Sequence, residues 1–252
     1  MSVHPIHQAV LSAIPSSERV LQVLVCIARA GQSMAARDIA AQTGIPLSTV
    51  YRQLAPLKKW GLVQEHGQSG LYEPGPLAMQ LAWGFDHHSY LMAEARSEIE
   101  QLVQRSGESV GLLVHVNGQL ICLDMQESQQ ALRCSFTKGS ANSLLRGASA
   151  KALLAYLPQA VQDDQMRSLP EKEREVLQAQ LLAIRQQHYA ITENEIDEGV
   201  WGVSVPVFSS KDKLEASLSL MAPVSRAQQR HADYIQMTMA AAARIGQKLR
   251  DH

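Results

Sequence analysis

The sequence predicts an α+β chain in two parts: a winged helix-turn-helix, then a linker helix leading to a second domain with a mainly antiparallel sheet. Three observations predict it. Met34 to Leu62 reads as two short helices joined by a tight turn, and two short extended runs follow around the turn-rich HGQSG. From Ser109 onward the apolar period changes from helical to alternating, with Asn117-Gly118 set between two alternating runs.

Composition narrows the classes. The 252 residues carry 23 Lys and Arg against 24 Asp and Glu, and 46% are hydrophobic, enough apolar material for two cores. No apolar run approaches the ~20 residues of a membrane span, and the opening MSVHPIHQAVLSAIP lacks the basic flank of a signal peptide. A cytoplasmic protein with no membrane partner is expected. Cys26, Cys122 and Cys134 lie far apart with no C-x-x-C spacing, which points to no disulfide framework, no metal site and no cofactor. A chain this close to neutral is not a wholesale polyanion binder, so any nucleic-acid work falls to one domain.

Residues 1 to 15 contain Pro5 and Pro15, no period and no Lys or Arg, and read as a flexible arm. Residues 16 to 75 form the winged helix. Its first helix, capped by Ser16 or Ser17, carries the apolar stripe Val20, Leu21, Leu24, Ile27 and Ala28 up to Gly31. In the helix pair, Ile39, Ala40 and Ala41 give the inner face, Gly44 the turn, and Pro46 the first helical position. The second helix has Leu47, Val50, Leu54 and Leu57 at three- and four-residue spacing, which leaves Ser48, Thr49, Tyr51, Arg52 and Gln53 on its other faces. Trp60-Gly61 ends it, and Leu62 to Glu65 with Leu71 to Glu73 form the hairpin of the wing.

This is a DNA-reading device. Arg29, Arg37, Arg52, Lys58 and Lys59 face a single acid, Asp38, between Arg29 and Leu62, so the basic excess is local, as a phosphate-contacting face requires. The expected DNA contacts are Ser48, Thr49, Tyr51 and Arg52 on the second helix. Arg37, Lys58, Lys59 and the wing residues His66 and Gln68 hold the backbone.

Pro74-Gly75-Pro76 breaks the chain, and residues 76 to 90 contain the linker helix. Leu77, Leu81, Trp83 and Phe85 are more apolar than a solvated linker needs, which favours packing on a second subunit over covering their own domain. Adjacent His87 and His88 point about 100° apart on a helix and do not grip one ion together. The second domain, residues 91 to 252, opens with a helix from Tyr90 to Ser106 stopped by Gly107. SVGLLVHV and QLICLDM make a hairpin, Leu132 to Thr137 a third strand, and RGASAKALLAYLP a short buried helix ended by Pro158. Two helices near Ala160 to Ser168 and Glu171 to Gln187 follow, then strands Val200 to Phe208 and Leu214 to Met221, then a helix from Ser225 to Leu249.

No catalytic residue emerges. Gly147 to Lys151, GASAK, fails the last position of a G-x-S-x-G elbow, and Ser149-x-Lys151 is one residue short of S-x-x-K. Glu193, Glu195, Asp197 and Glu198 read as a solvated acidic run. His115 is the one histidine near Cys122 or Cys134, and its alternation with Val114 and Val116 fits the outer face of a strand. Two other functions remain as alternatives: a small-molecule enzyme with an attached helix pair, and a winged helix used for protein contacts.

With these parts in this order, the chain resembles the IclR-type family of bacterial transcriptional regulators over about residues 16 to 250. The residues that carry the resemblance are Ser48-Thr49-Val50-Tyr51-Arg52-x-Leu54 with Gly61-Leu62-Val63, Ser106-Gly107-Glu108-Ser109-Val110, Ala148-Ser149-Ala150-Lys151-Ala152-Leu153-Leu154-Ala155, and Glu195-x-x-Glu198-Gly199-Val200 before Val205-Pro206-Val207-Phe208. The resemblance implies a GAF-like effector domain that binds a small organic acid. It also implies homodimers, often paired into tetramers, on double-stranded palindromic operators, and most often repression of a catabolic operon. The family's pocket positions fall on Ala131, Cys134, Ala148, Ser149, Thr192, Val200, Gly202, Ser219 and Met221. Two departures stand out: Ala150 replaces a usual glycine, and Arg146 replaces a small residue. Arg146 either adds a bidentate partner for an anionic ligand or points to solvent.

Overall fold

The computed structural model describes residues 15–67, 69–211 and 213–251, and the chain divides into two compact units at His88/Ser89. Residues 1–14 of the expected arm lie outside the described residues.

The first unit opens with α1 (Ser16–Arg29), whose N-cap is Pro15 with no side-chain cap bond. The expected serine cap fails because Ser16 is already helical, and its hydroxyl accepts from the Gln53 amide at 3.4 Å. The buried face runs through Val23 and Ile27 with Val20 and Leu24 beside it, while Leu21 is 57% exposed and Ala28 faces solvent. The stripe is therefore turned from the one expected. Next comes β1 (Met34–Ala35), a strand the sequence did not suggest, which pairs Met34 with Tyr72 on the wing.

Then follow α2 (Ala36–Thr43) and α3 (Leu47–Lys59), joined through Gly44 in the left-handed region. Within α2, Ala36 and Ile39 are the buried pair, and Ala41 points outward. Pro46 is the N-cap of α3 instead of its first helical residue. β2 (Val63–Glu65) and β3 (Leu71–Pro74) complete an antiparallel sheet in the order β1-β3-β2. Gly75 follows, where a Cβ would overlap the carbonyl of Gly61. The same carbonyl accepts from the Leu77 N–H at 3.0 Å, so the start of α4 (Leu77–His88) is pinned to the end of the helix pair.

The second unit is a six-stranded antiparallel sheet whose strands lie in the order Ala141–Ser143, Gln119–Gln126, Ser109–Val116, Lys213–Pro223, Val200–Ser210, Ala190–Glu193. α5 (Tyr90–Ser106) leads into β4 (Ser109–Val116) and β5 (Gln119–Gln126), and Asn117 and Gly118 both take positive φ, as the Asn-Gly hairpin requires. The expected third strand, Leu132–Thr137, is not one. Leu132 gives its carbonyl to Arg226, and Ser135 donates to Glu127, so the segment stays off the sheet until Gly139 donates to Cys122. The pairing strand is β6 (Ala141–Ser143).

Three helices follow: α6 (Ala148–Leu154), α7 (Gln159–Met166) and α8 (Glu171–Gln187). An unforeseen edge strand β7 (Ala190–Glu193) precedes the long hairpin of β8 (Val200–Ser210) and β9 (Lys213–Pro223), and α9 (Val224–Arg250) ends the chain. Alternation sorts the sheet's two faces. Val203, Val205, Leu218 and Leu220 pack under α5 and α9 with Ile99, Tyr234 and Ile245. Gly202, Ser204, Ser219 and Met221 alternate with them and so take the opposite face, where α6 lies.

Candidate DNA-reading face and ligand cavity

α3 is divided along its length. Val50, Gln53, Leu54 and Leu57 are buried, whereas Ser48, Tyr51 and Arg52 are exposed and Thr49 is half-buried. Gln53 thus belongs to the core, against expectation. Pro56 sits inside the helix and offers no N–H to the carbonyl of Arg52. Arg37, Lys59 and His66 reach solvent. Lys58 is committed instead: its ammonium pairs with Glu65 and lies 5.8 Å from the centre of the Tyr72 ring. The Glu65 hydrogen bond raises its pKa. In the wing, His66 Nδ1 is 3.6 Å from Glu73, whose carboxyl is held below the ordinary range, first by the Ser33 hydroxyl and then by the Gln64 amide. Gln68 lies outside the described residues.

In the second unit a cavity of about 490 Å³, counted with its open mouth, lies between the sheet and the start of α6. Seven of the ten expected effector positions line it: Ala148, Ser149, Thr192, Val200, Gly202, Ser219 and Met221. Its polar end is a chain of hydroxyls, Ser149 Oγ to Ser219 Oγ at 2.7 Å and Ser219 Oγ to Ser204 Oγ at 2.8 Å, all buried. Three hydroxyls carry three protons, and two are used inside the chain. One O–H remains, and it is on Ser149, facing the cavity, when Ser204 donates to Ser219 and Ser219 to Ser149. Thr192 accepts from the Ala148 N–H at 3.1 Å, which ties β7 to the first residue of α6.

Three expected positions do not line the cavity. Ala131 is exposed and Cys134 half-buried on the segment that never joins the sheet; its later residues Ser135 and Phe136 take their place. Arg146 donates to the main-chain carbonyl of Glu195 from outside the cavity. The sequence reading missed Glu195, Ile196 and Asp197, which form one wall. The thiols are poor nucleophiles: burial pushes Cys122 up to about 11 and raises Cys134. The ring of His115 accepts from the Gly118 N–H at 3.0 Å, within its own turn.

A family model described as the IclR helix-turn-helix domain matches residues 16–67, and one described as the C-terminal part of the bacterial transcriptional regulator IclR matches residues 86–247. The chain belongs to the IclR family of bacterial transcriptional regulators. Among its relatives in the family, the probable transcriptional regulator SauR of Cupriavidus necator is 28% identical over 216 residues, 82% of this chain and 86% of that protein. The transcriptional repressor IclR of Escherichia coli is 24% identical over 227 residues, 84% of this chain and 81% of the relative.

Solved structures share the fold over most of the chain. An IclR family regulator from Brucella abortus, 19% identical, superimposes with a TM-score of 0.80 over 93% of this chain and 92% of its own. An IclR homologue from Microbacterium hydrocarbonoxydans, complexed with 4-hydroxybenzoate, is 22% identical with a TM-score of 0.73 over 94% of this chain and all of its own. Among the described residues no helix is long and apolar enough to cross a membrane.

Proposed function

We propose that the protein represses a catabolic operon by binding its operator through α3, and that a small organic acid in the cavity controls this binding. The division of α3 carries the reading. Its buried apolar edge fixes the helix to the unit, and its polar edge stays free for a major groove. Ser48, Thr49, Tyr51 and Arg52 then meet bases and phosphates, and Arg37, Lys59, His66 and Gln68 hold the backbone. Lys58 joins them when a DNA phosphate outcompetes Glu65.

On α4, Met79, Leu81, Trp83 and Phe85 are 74%, 60%, 60% and 49% exposed. A second copy of the chain covering them makes a homodimer, and paired dimers make a tetramer. A dimer on a palindrome doubles every contact. In the cavity the spare hydroxyl proton, carried by Ser149 at the end of its chain, meets an acceptor oxygen of the ligand. Phe136, Ile196, Val200 and Met221 take its apolar body. By linkage the ligand changes DNA affinity only as far as it prefers one arrangement of the protein.

The test is a gel-shift titration against DNA upstream of the protein's own gene. It is run at two salt concentrations, with 4-hydroxybenzoate and other small carboxylic acids. A sequence-selective shift that weakens with salt and responds to one acid is expected. No selective shift at either salt refutes operator binding. A selective shift that no acid alters refutes the ligand half, and turnover of an acid returns the enzyme reading.

A further inference from the structure

We propose that Glu195 is the closing element of the ligand cavity, and that Lys151 and Arg146, neither of which lines it, are the positioning residues that hold it shut. The inference rests on the cavity being the ligand site. Glu195, Ile196 and Asp197 form its outer wall, in the connection between β7 and β8. On the far side of that wall lies an open groove whose charged lining is Arg146, Lys151, Lys172, Glu173 and Glu195, with apolar and uncharged polar neighbours. Glu195 is the one residue that lines both spaces among the described residues.

Lys151 comes from α6 and is 7% exposed, and its ammonium is 2.7 and 2.8 Å from the two carboxylate oxygens of Glu195. Arg146 grips the main-chain carbonyl of the same residue. Two independent contacts, one to side chain and one to backbone, thus converge on one position. A pair this sheltered is screened less by salt than a surface pair. Ile196 next to it leans on Gly147, where a Cβ would stand 3.0 Å from its side chain.

The connection itself is built to move as one piece. Asn194 and Gly199 at its ends have φ of 56° and 79°. The Asn194 side chain accepts from the Gly199 N–H at 2.7 Å, and the Asn194 N–H donates to Val200 at 2.8 Å. Among the described residues, the hydrogen bonds that reach residues 195–198 from other elements come from Lys151 and Arg146 alone, apart from the adjoining Val200 N–H. Releasing them frees the wall without breaking the sheet.

The test reads access to the cavity with no ligand and no DNA, so it stands or falls apart from the regulator reading. Ala148→Cys places a thiol on the lining of the full-length protein, and peptide-resolved mass spectrometry follows its alkylation by iodoacetamide separately from Cys26, Cys122 and Cys134. Lys151→Met is expected to speed alkylation about tenfold and Glu195→Gln at least threefold. The two together are expected to add nothing beyond the first. Lys151→Arg is expected to restore the slow rate. Glu195→Gln leaves α6 untouched and carries the test alone if Lys151→Met does not fold. Less than a threefold rise in a folded single variant, or effects that add in the double variant, overturns the proposal, because a lysine that only braces its helix gives one of those results.

Discussion

Replacing Arg226 with methionine is the sharpest test of how the second unit is held together. Arg226 clamps Glu108 with two bonds of 2.6 and 2.7 Å, and Glu108 is 2% exposed, with the Tyr234 hydroxyl donating to it at 3.1 Å. The third bond of Arg226, 2.9 Å to the Leu132 carbonyl, holds the segment that carries Ser135 and Phe136 to the cavity. Arg226→Met keeps the aliphatic stem and leaves a buried carboxylate without its cation, which costs about 3–5 kcal/mol. With a urea m-value of ~2 kcal/mol/M, the unfolding midpoint should fall by about 1.5–2.5 M. Trp201 reports this unit. It is 4% exposed beside Tyr234, whereas Trp60 and Trp83 are 69% and 60% exposed and can be replaced by Phe to clear the signal. Adding Glu108→Gln removes the orphaned charge but keeps an acceptor for Tyr234, so the double variant should regain at least about half of the loss. A fall of less than about 0.5 M, or a double variant weaker than the single one, refutes the reasoning.

The other predictions concern DNA, ligand and pH. Arg52→Ala should cost ~1–3 kcal/mol per half-site and relax specificity at one base if Arg52 reads an edge; equal weakening on every sequence would make it a phosphate contact. Because Lys58 is tied to Glu65 and Lys59 is not, Lys59→Ala should flatten the salt dependence of binding more than Lys58→Ala. Titrations at several salt concentrations decide it. Ser149→Ala removes the hydroxyl at the α6 end of the chain, the one expected to donate to the ligand, and should weaken the acid found by gel shift about tenfold, read by calorimetry, with operator affinity in its absence unchanged.

Glu98 supplies the pH dependence. Burial alone would raise its pKa, but Lys248 at 2.9 Å and Arg244 at 2.7 Å overcome that and leave it below the ordinary 4.5. Since the folded value is depressed, its stabilisation is complete above about pH 5 and is lost as pH falls through the folded value. The gap in urea midpoint between wild type and Glu98→Gln should therefore narrow as the pH is lowered from about 6 through the carboxylate range; a constant gap would mean that the charge contributes nothing.

The parts of the fold that were legible in the sequence are those set by local chemistry. Gly44, Asn117-Gly118 and Pro74-Gly75-Pro76 mark turns by backbone geometry, and the periods of α3, α5, β8 and β9 follow from which face is buried. Errors came where a distant partner decided. The strand expected at Leu132–Thr137 has the right alternation, but Arg226, 94 residues away, holds it off the sheet. β1 and β7 are too short to announce a period and exist because β3 and β8 offer them an edge.

The cavity follows the same rule. Its floor was expected from the family resemblance, which put Ser219 and Met221 two residues apart on one strand and Ala148 and Ser149 at the start of one helix. Its wall was not. By composition Glu193, Glu195, Asp197 and Glu198 are a solvated acidic run, and three of the four are indeed exposed. What makes Glu195 different is Lys151, 44 residues earlier in the chain and almost wholly buried, which has no other carboxylate to face among the ion pairs of the described residues. A buried ammonium in a short helix requires an anion from elsewhere. A lysine set among the small and apolar residues of Ala148–Leu154 was therefore the one available sign that part of the acidic run would fold back onto the cavity.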